Sequence, residues 1–366
     1  MLLKRGKAPA RTSLSQSQLI WRKFRKHRIA SVGLVVLAGF FLIALFCDFL
    51  APNDPAARYG VANMPPTKIR VYCEDEGLQR PFVYGYMRER DPITLELRYS
   101  EDRSVKYPVS FFVRGYEYRL LGLIPTNIHL FGVAEPGGLF LFGTDGLGRD
   151  IFSRTIVATR ISSSIGLISI MISLVLGLLI GGLSAWFGGY FDLAVQKVIE
   201  VLICVPEISL WMGLTAALPR DWSPLRVYFC ILVILALRNW INVARVVRGK
   251  FISLKNEDFV LAALAMGGSS WWVITRHLIP NFISYVIVSV TVSIPAVILG
   301  ETALSFLGIG LRPPIISWGV LLQGAQNIAS IAAYPWRFIP ALFVITLVLA
   351  FNFVGDGLRD AADPYK

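Results

Sequence analysis

Six stretches of this sequence are too apolar and too long to lie in water, and they divide the whole chain among themselves. Ile29 to about Phe49, Ile161 to Phe191, Val195 to Leu218, Val227 to Val243, Phe282 to Gly300 and Phe338 to Gly355 each approach or exceed the length that crosses a hydrocarbon layer of about 30 Å. The second and fifth carry no charged side chain at all. With 55% hydrophobic residues and a mean hydropathy of +0.59, the chain of 366 residues lies outside the range of soluble domains.

The expected fold is an all-α polytopic membrane protein with six transmembrane helices and a small β-rich extracytoplasmic insertion between helices 1 and 2. The net charge of +12 raises the question of nucleic acid, and its distribution answers it. Residues 1–28 hold nine Lys/Arg and no acid, 51–158 hold 13 of each sign, and the remainder hold 14 basic and 11 acidic residues. The excess is a basic tail ahead of an apolar span, which keeps that end in the cytoplasm and leaves the lipid bilayer, not nucleic acid, as the partner. The run after the tail is too long for the core of a signal peptide and reads as a retained anchor. Cys47, Cys73, Cys204 and Cys230 are scattered, with only Cys73 in the long external segment, so neither an internal disulfide there nor a zinc site is expected.

The expected division is a cytoplasmic basic tail over 1–28, a first helix over 29–50, an extracytoplasmic insertion over 51–158 and a five-helix core over 159–366. Basic residues Arg245, Arg248, Lys250 and Lys255 place a loop over 246–281 in the cytoplasm, with both termini on the same side of the plasma membrane. In the insertion, Ile93, Leu95, Leu97 and Tyr99 alternate with polar neighbours, as do Val109, Phe111 and Val113, so both read as strands. No binding motif marks it, and a lid or spacer and a docking role stay open. Phe142–Arg154 is glycine-rich but lacks the Lys-Ser/Thr of a phosphate loop, so Asp145, Arg149 and Asp150 are expected to pair locally in a tight turn. Small residues at Gly166, Gly177, Gly181 and Gly182 mark where another helix can approach. Trp318, Tyr334 and Trp336 suit the membrane interface.

Charges and prolines inside spans are the next candidates. Glu207 beside Pro206 is either pore-lining or a structural contact at a kink, Pro295 is an expected kink, and Glu301 lies near the outer end of its span. Glu207 with Arg238 is also the material for the alternative function, an ion-coupled secondary carrier or channel. An enzyme is a poor reading, because His27, His129 and His277 all fall outside the spans and no catalytic residue is indicated.

The loop between spans four and five reads as two short helices folded at Gly267 and Gly268, the second broken at Pro280. Glu257, Asp258 and Arg276 are expected at its surface beside Ala262, Ala263 and Gly267, and His277 reads as a cation at a helix end. The loop suits docking of another protein or an ordinary connection.

The residues of this loop resemble the coupling loop of ABC importer permeases. Ala262, Ala263, Gly267, His277, Leu278 and Pro280 match in type and spacing, while Leu261 stands where the family has Glu, so that contact is not carried over. Gly143-Thr144-Asp145, Gly148-Arg149-Asp150, Glu301 with Leu304-Ser305-Phe306-Leu307-Gly308, Ser317-Trp318-Gly319 and Gly355 through Asp360 with Asp363-Pro364 resemble the second permease of the dipeptide, oligopeptide and nickel importer group. The resemblance covers span one and the chain from 142 onward, and residues 56–140 stand outside it. It implies a type I importer fold in the bacterial inner membrane, a sister permease, two ABC ATPase subunits and an extracytoplasmic solute-binding protein. ATP and Mg would sit on the ATPases and no cofactor on this chain, in keeping with the absence of a phosphate-binding loop.

Overall fold

The computed structural model describes residues 16–73, 77–90, 97–134, 136–219 and 221–362. Among these, five helices are long and apolar enough to cross a membrane, and a sixth crossing exists if one sharply bent pair counts as a span.

Part of the basic stretch forms a short helix, α1 (Gln16–Lys26), pinned by buried Phe24. His27 leaves helical geometry and its Nδ1 accepts the Ala30 N–H at 3.1 Å, which starts α2 (Arg28–Leu45). The one-turn α3 (Cys47–Leu50) follows.

The segment after α3 holds four antiparallel strands in the order β1 (Arg70–Cys73), β2 (Gly77–Arg90), β3 (Leu97–Leu120), β4 (Ile124–Val133). The long β3 pairs with β2 up to Pro108 and with β4 from Val109, turning at Leu121 and Gly122, both at positive φ. The expected strand through Val109–Val113 is therefore present. Of the other, Leu97 and Tyr99 lie in β3, while Ile93 and Leu95 lie outside the described residues. Buried His129 of β4 ties the sheet to α3, with Nδ1 3.0 Å from the Asp48 carbonyl and Nε2 3.1 Å from the Tyr116 carbonyl.

α4 (Ile151–Phe187) begins ten residues before the expected span and ends at Gly188. Its small residues do what the sequence suggests: a methyl on Gly177 would lie 2.5 Å from Val243 Cβ, and one on Gly166 2.6 Å from Ile298, so α4 packs directly on the helices that carry Val243 and Ile298.

The expected single span Val195–Leu218 is not a straight helix. α5 (Gly189–Cys204) and α6 (Glu207–Ala216) meet at 89°. Pro206 supplies no N–H, and Val205 before it is extended (ψ 125°), so the helix cannot propagate through the pair. α7 (Pro224–Leu254) instead continues well beyond Val243 into the expected loop.

After α8 (Asp258–Ala265) and α9 (Ser270–Val273), a π turn over Ile274–Leu278 leads straight into α10 (Ile279–Phe306). Pro280 therefore does not break a helix as the sequence suggests. The widened turn, in which Ile279 N–H reaches Ile274 O, lets the axis pass the proline. α10 likewise runs on through buried Pro295.

The return to the last helix uses α11 (Trp318–Gln323), α12 (Ile328–Ala333) and a 3-10 turn before α13 (Ile339–Ala362). Trp318 is not exposed on the outside of the bundle, where an interfacial ring would meet lipid. It is fully buried, donates Nε1–H to Thr155 O at 3.1 Å and meets Phe40 edge-on at 6.0 Å. Its indole needs an acceptor that α4 supplies, so the core is the better place for it.

Candidate functional site

The loop Glu257–Asn281 is built around one corner. Gly267 takes φ +86°, its N–H donates to Leu264 O at 2.9 Å, and Gly268 N–H donates to Ala263 O at 3.0 Å. This pair of bonds is a Schellman cap, which closes α8 and which an L-residue at 267 would strain. Ser269 Oγ then accepts the Trp272 N–H and starts the next helix. The corner is fixed by hydrogen bonds at both of its ends.

Its two faces differ. Val260, Ala263, Val273, Ile274 and Leu278 are buried against the bundle, while Phe259, Leu261, Leu264, Met266, Trp271 and Trp272 are exposed, Met266 by 79% and Trp271 by 61%. Glu257, Asp258, Ala262, Gly267 and Arg276 are exposed as expected, and Pro280 is exposed too. Ala263 is not: at 1% exposure it packs inward, because residues 260 and 263 share the buried face of α8. His277 does not stand at a helix end either. It sits inside the π turn with the helix continuing past it, its ring 4.7 Å from that of Trp272.

What holds the loop to the bundle was not visible in the sequence. Arg248 of α7 donates from Nε and Nη2 to the two carboxylate oxygens of Asp192 at 2.7 and 2.6 Å, and Ser184 also bonds Asp192. Lys255 Nζ donates to Trp186 O. Both contacts join the end of α7 to the α4–α5 elbow. Arg248 was readable as a basic residue near the membrane, but its partner 56 positions away leaves no spacing signal.

At the other end of α10, Glu301 is 1% exposed. Its Oε1 accepts from Ser305 Oγ and Ser317 Oγ, each at 2.8 Å, while Oε2 has no partner. Ser317 Oγ in turn caps α11 by accepting Val320 N–H. Glu301 thus fastens the segment after α10 onto the bundle. Glu207 opens α6 at the 89° bend, where a carboxylate favours the helix N-terminus. No ion pair joins Glu207 to Arg238 among the described residues.

The turn Phe142–Arg154 contains the expected local pair and one difference. Asp145 Oδ2 accepts Arg149 Nε at 2.7 Å, and Oδ1 accepts the N–H groups of Leu147 and Arg149. Asp150 pairs with no arginine among the described residues. It caps α4 through the N–H groups of Phe152 and Ser153, and accepts from Ser153 Oγ and Asn53 Nδ2. Burial pushes its carboxyl upward, against these hydrogen bonds.

Comparison with known proteins covers both halves of this arrangement. Residues 173–365 match the family described as binding-protein-dependent transport system inner membrane component, and residues 15–66 match the N-terminal TM domain of oligopeptide transport permease C. The dipeptide transport system permease protein DppC of Lactococcus lactis is 32% identical over 97% of this chain and 92% of its own length. That alignment runs across the insertion as well, while the two family models leave residues 67–172 unmatched. The oligopeptide transport system permease protein OppC of Bacillus subtilis is 38% identical over 61% of this chain and 71% of its own. A solved structure of the MetNI methionine ABC transporter in inward-facing conformations aligns at 16% identity with a TM-score of 0.46, over 58% of this chain and 97% of that one. The chain belongs to the binding-protein-dependent inner membrane component family, as a permease of the peptide ABC transporter group.

Proposed function

We propose that this chain is the transmembrane subunit of an ATP-driven peptide importer in which the corner Glu257–Asn281 receives movement from an ABC ATPase and passes it to the spans. One observation carries the reading: a corner fixed by Gly267 and Ser269 and buried on one side presents Leu261, Leu264, Met266 and Trp271 to solvent on the other. A rigid apolar knob outside a membrane bundle fits a protein partner better than a simple connector. The missing Glu at 261 fits as well, since Leu261 extends the apolar face.

In this reading a sister permease completes the pore, two ATPase subunits sit beneath it with ATP and Mg, and a solute-binding protein delivers peptide at the sheet end. Both termini and the corner lie in the cytoplasm. Closure of the ATPases shifts α8 and α9, and the unbroken path through the π turn moves α10. Glu301, Pro295 and Glu207 are then positions at the outer fastening, within the moving helix and at the bend facing the pore.

Purification from native membrane in mild detergent tests this. Two ATPases and a second permease should accompany the chain, and Gly267→Asp should abolish ATPase association and uptake with membrane insertion intact. Normal uptake by that variant, or an isolated homo-oligomer driven by an ion gradient, would count against the assignment.

A further inference from the structure

The turn that starts α4 also walls a cavity of about 340 Å³, between α4, α11 and the beginning of α13. Its lining includes Asp145, Arg149, Arg154, Arg337, Leu321 and Gly324. Three arginines and a single carboxylate, that of Asp145, therefore line it. Arg149 gives Nε to that carboxylate at 2.7 Å. Arg154 is 3% exposed, its Nη1 donates to Pro55 O at 2.7 Å, and its Nε is buried without an acceptor. Arg337 donates to Ser330 Oγ at 2.7 Å, to Gly324 O at 3.4 Å and to Asn63 Oδ1, and its Nε is likewise buried without an acceptor. Neither Arg154 nor Arg337 forms an ion pair among the described residues. Asp150, on the residue before α4, is already engaged by Asn53, Phe152 and Ser153.

A guanidinium removed from water with only carbonyl or hydroxyl acceptors is a costly arrangement, which a carboxylate arriving from outside relieves. The planar fork of arginine matches a carboxylate with two parallel bonds. The apolar remainder of the wall, with Leu147, Ile151 and Val320, suits a small side chain beside that carboxylate.

We propose that this cavity binds a carboxylate, and that its ligand is the free C-terminal carboxylate of a short peptide. The choice of peptide rests on the proposed function, whereas the carboxylate chemistry rests on Arg154 and Arg337, whose Nε groups lack an acceptor, beside the already paired Arg149. Asn63 holds Arg337 in place from the external segment, so that segment shapes the site.

The test uses the assembled transporter in lipid nanodiscs, titrated calorimetrically with dialanine and with dialanine amide. Saturable binding of dialanine, at least tenfold weaker for the amide and for Arg149→Gln and Arg337→Gln, is the expected result. Thermal melting of each variant controls for folding, and Arg149 lies on the turn rather than in the bundle, so its variant remains informative if Arg337→Gln unfolds. Equal affinity for the amide, no saturable binding, or unchanged affinity in both variants overturns the proposal. So does loss of binding-protein-stimulated ATP hydrolysis in Arg337→Gln with dialanine affinity unchanged, which would assign the cavity to an acidic side chain of a partner. Dialanine uptake measured in parallel tests the importer reading separately: uptake without binding at the cavity overturns this site alone.

Discussion

Arg248 holds Asp192 through two parallel hydrogen bonds of 2.7 and 2.6 Å, joining the end of α7 to the start of α5. Bidentate pairs of this kind fix geometry as well as charge. Asp192→Ala should therefore lower the melting temperature of the purified protein, and the exchange Asp192→Arg with Arg248→Asp should recover part of the loss. A double-mutant cycle should give a coupling of about 1 kcal/mol. Additive single effects would mean that the pair does not hold the elbow.

Leu261 and Ala263 separate docking from folding. Leu261→Glu places a charge on the exposed face and should leave the melting temperature within a degree or two while reducing ATPase co-purification at least tenfold. Ala263→Glu places the same charge in the packed face and should cost about 3 kcal/mol or more, seen as poor yield and early melting. Equal melting of the two variants would contradict the assignment of faces.

Glu301→Ala removes the acceptor of two buried hydroxyls, Ser305 and Ser317, and should destabilise by about 3 kcal/mol. Glu301→Gln keeps one carbonyl oxygen in place and should cost less than half as much. Thermal melting in detergent distinguishes them, and equivalence of the two would show that the hydroxyls find other partners.

How much of this was legible in the sequence depends on whether the determinant is local. The corner at Gly267 could be read because a glycine after an alanine-rich helix is a local stop signal. The close contacts of Gly166 and Gly177 were readable for a similar reason, as small residues inside an uncharged span. The bend at Pro206 was noted only as a kink, since hydropathy averages over a window and carries no direction. Pro280 misled because a proline predicts a break only if the helix keeps its ordinary pitch, and the π turn avoids that condition. Asp192 with Arg248, and Glu301 with Ser317, needed the packed bundle to bring distant residues together. The arginines of the cavity come from two stretches almost 200 positions apart, so only Arg149 with its neighbour Asp145 could be paired in advance.

The π turn has a mechanical meaning. By absorbing Pro280 without a break, it makes Ser270–Phe306 one continuous rod of 37 residues, about 55 Å from end to end. Tilting such a rod by one degree about its foot carries its tip sideways by about 1 Å. That is a large fraction of a hydrogen bond's tolerance, so the serine hydroxyls on Glu301 stand at the tip of a pointer whose other end is the corner at Gly267.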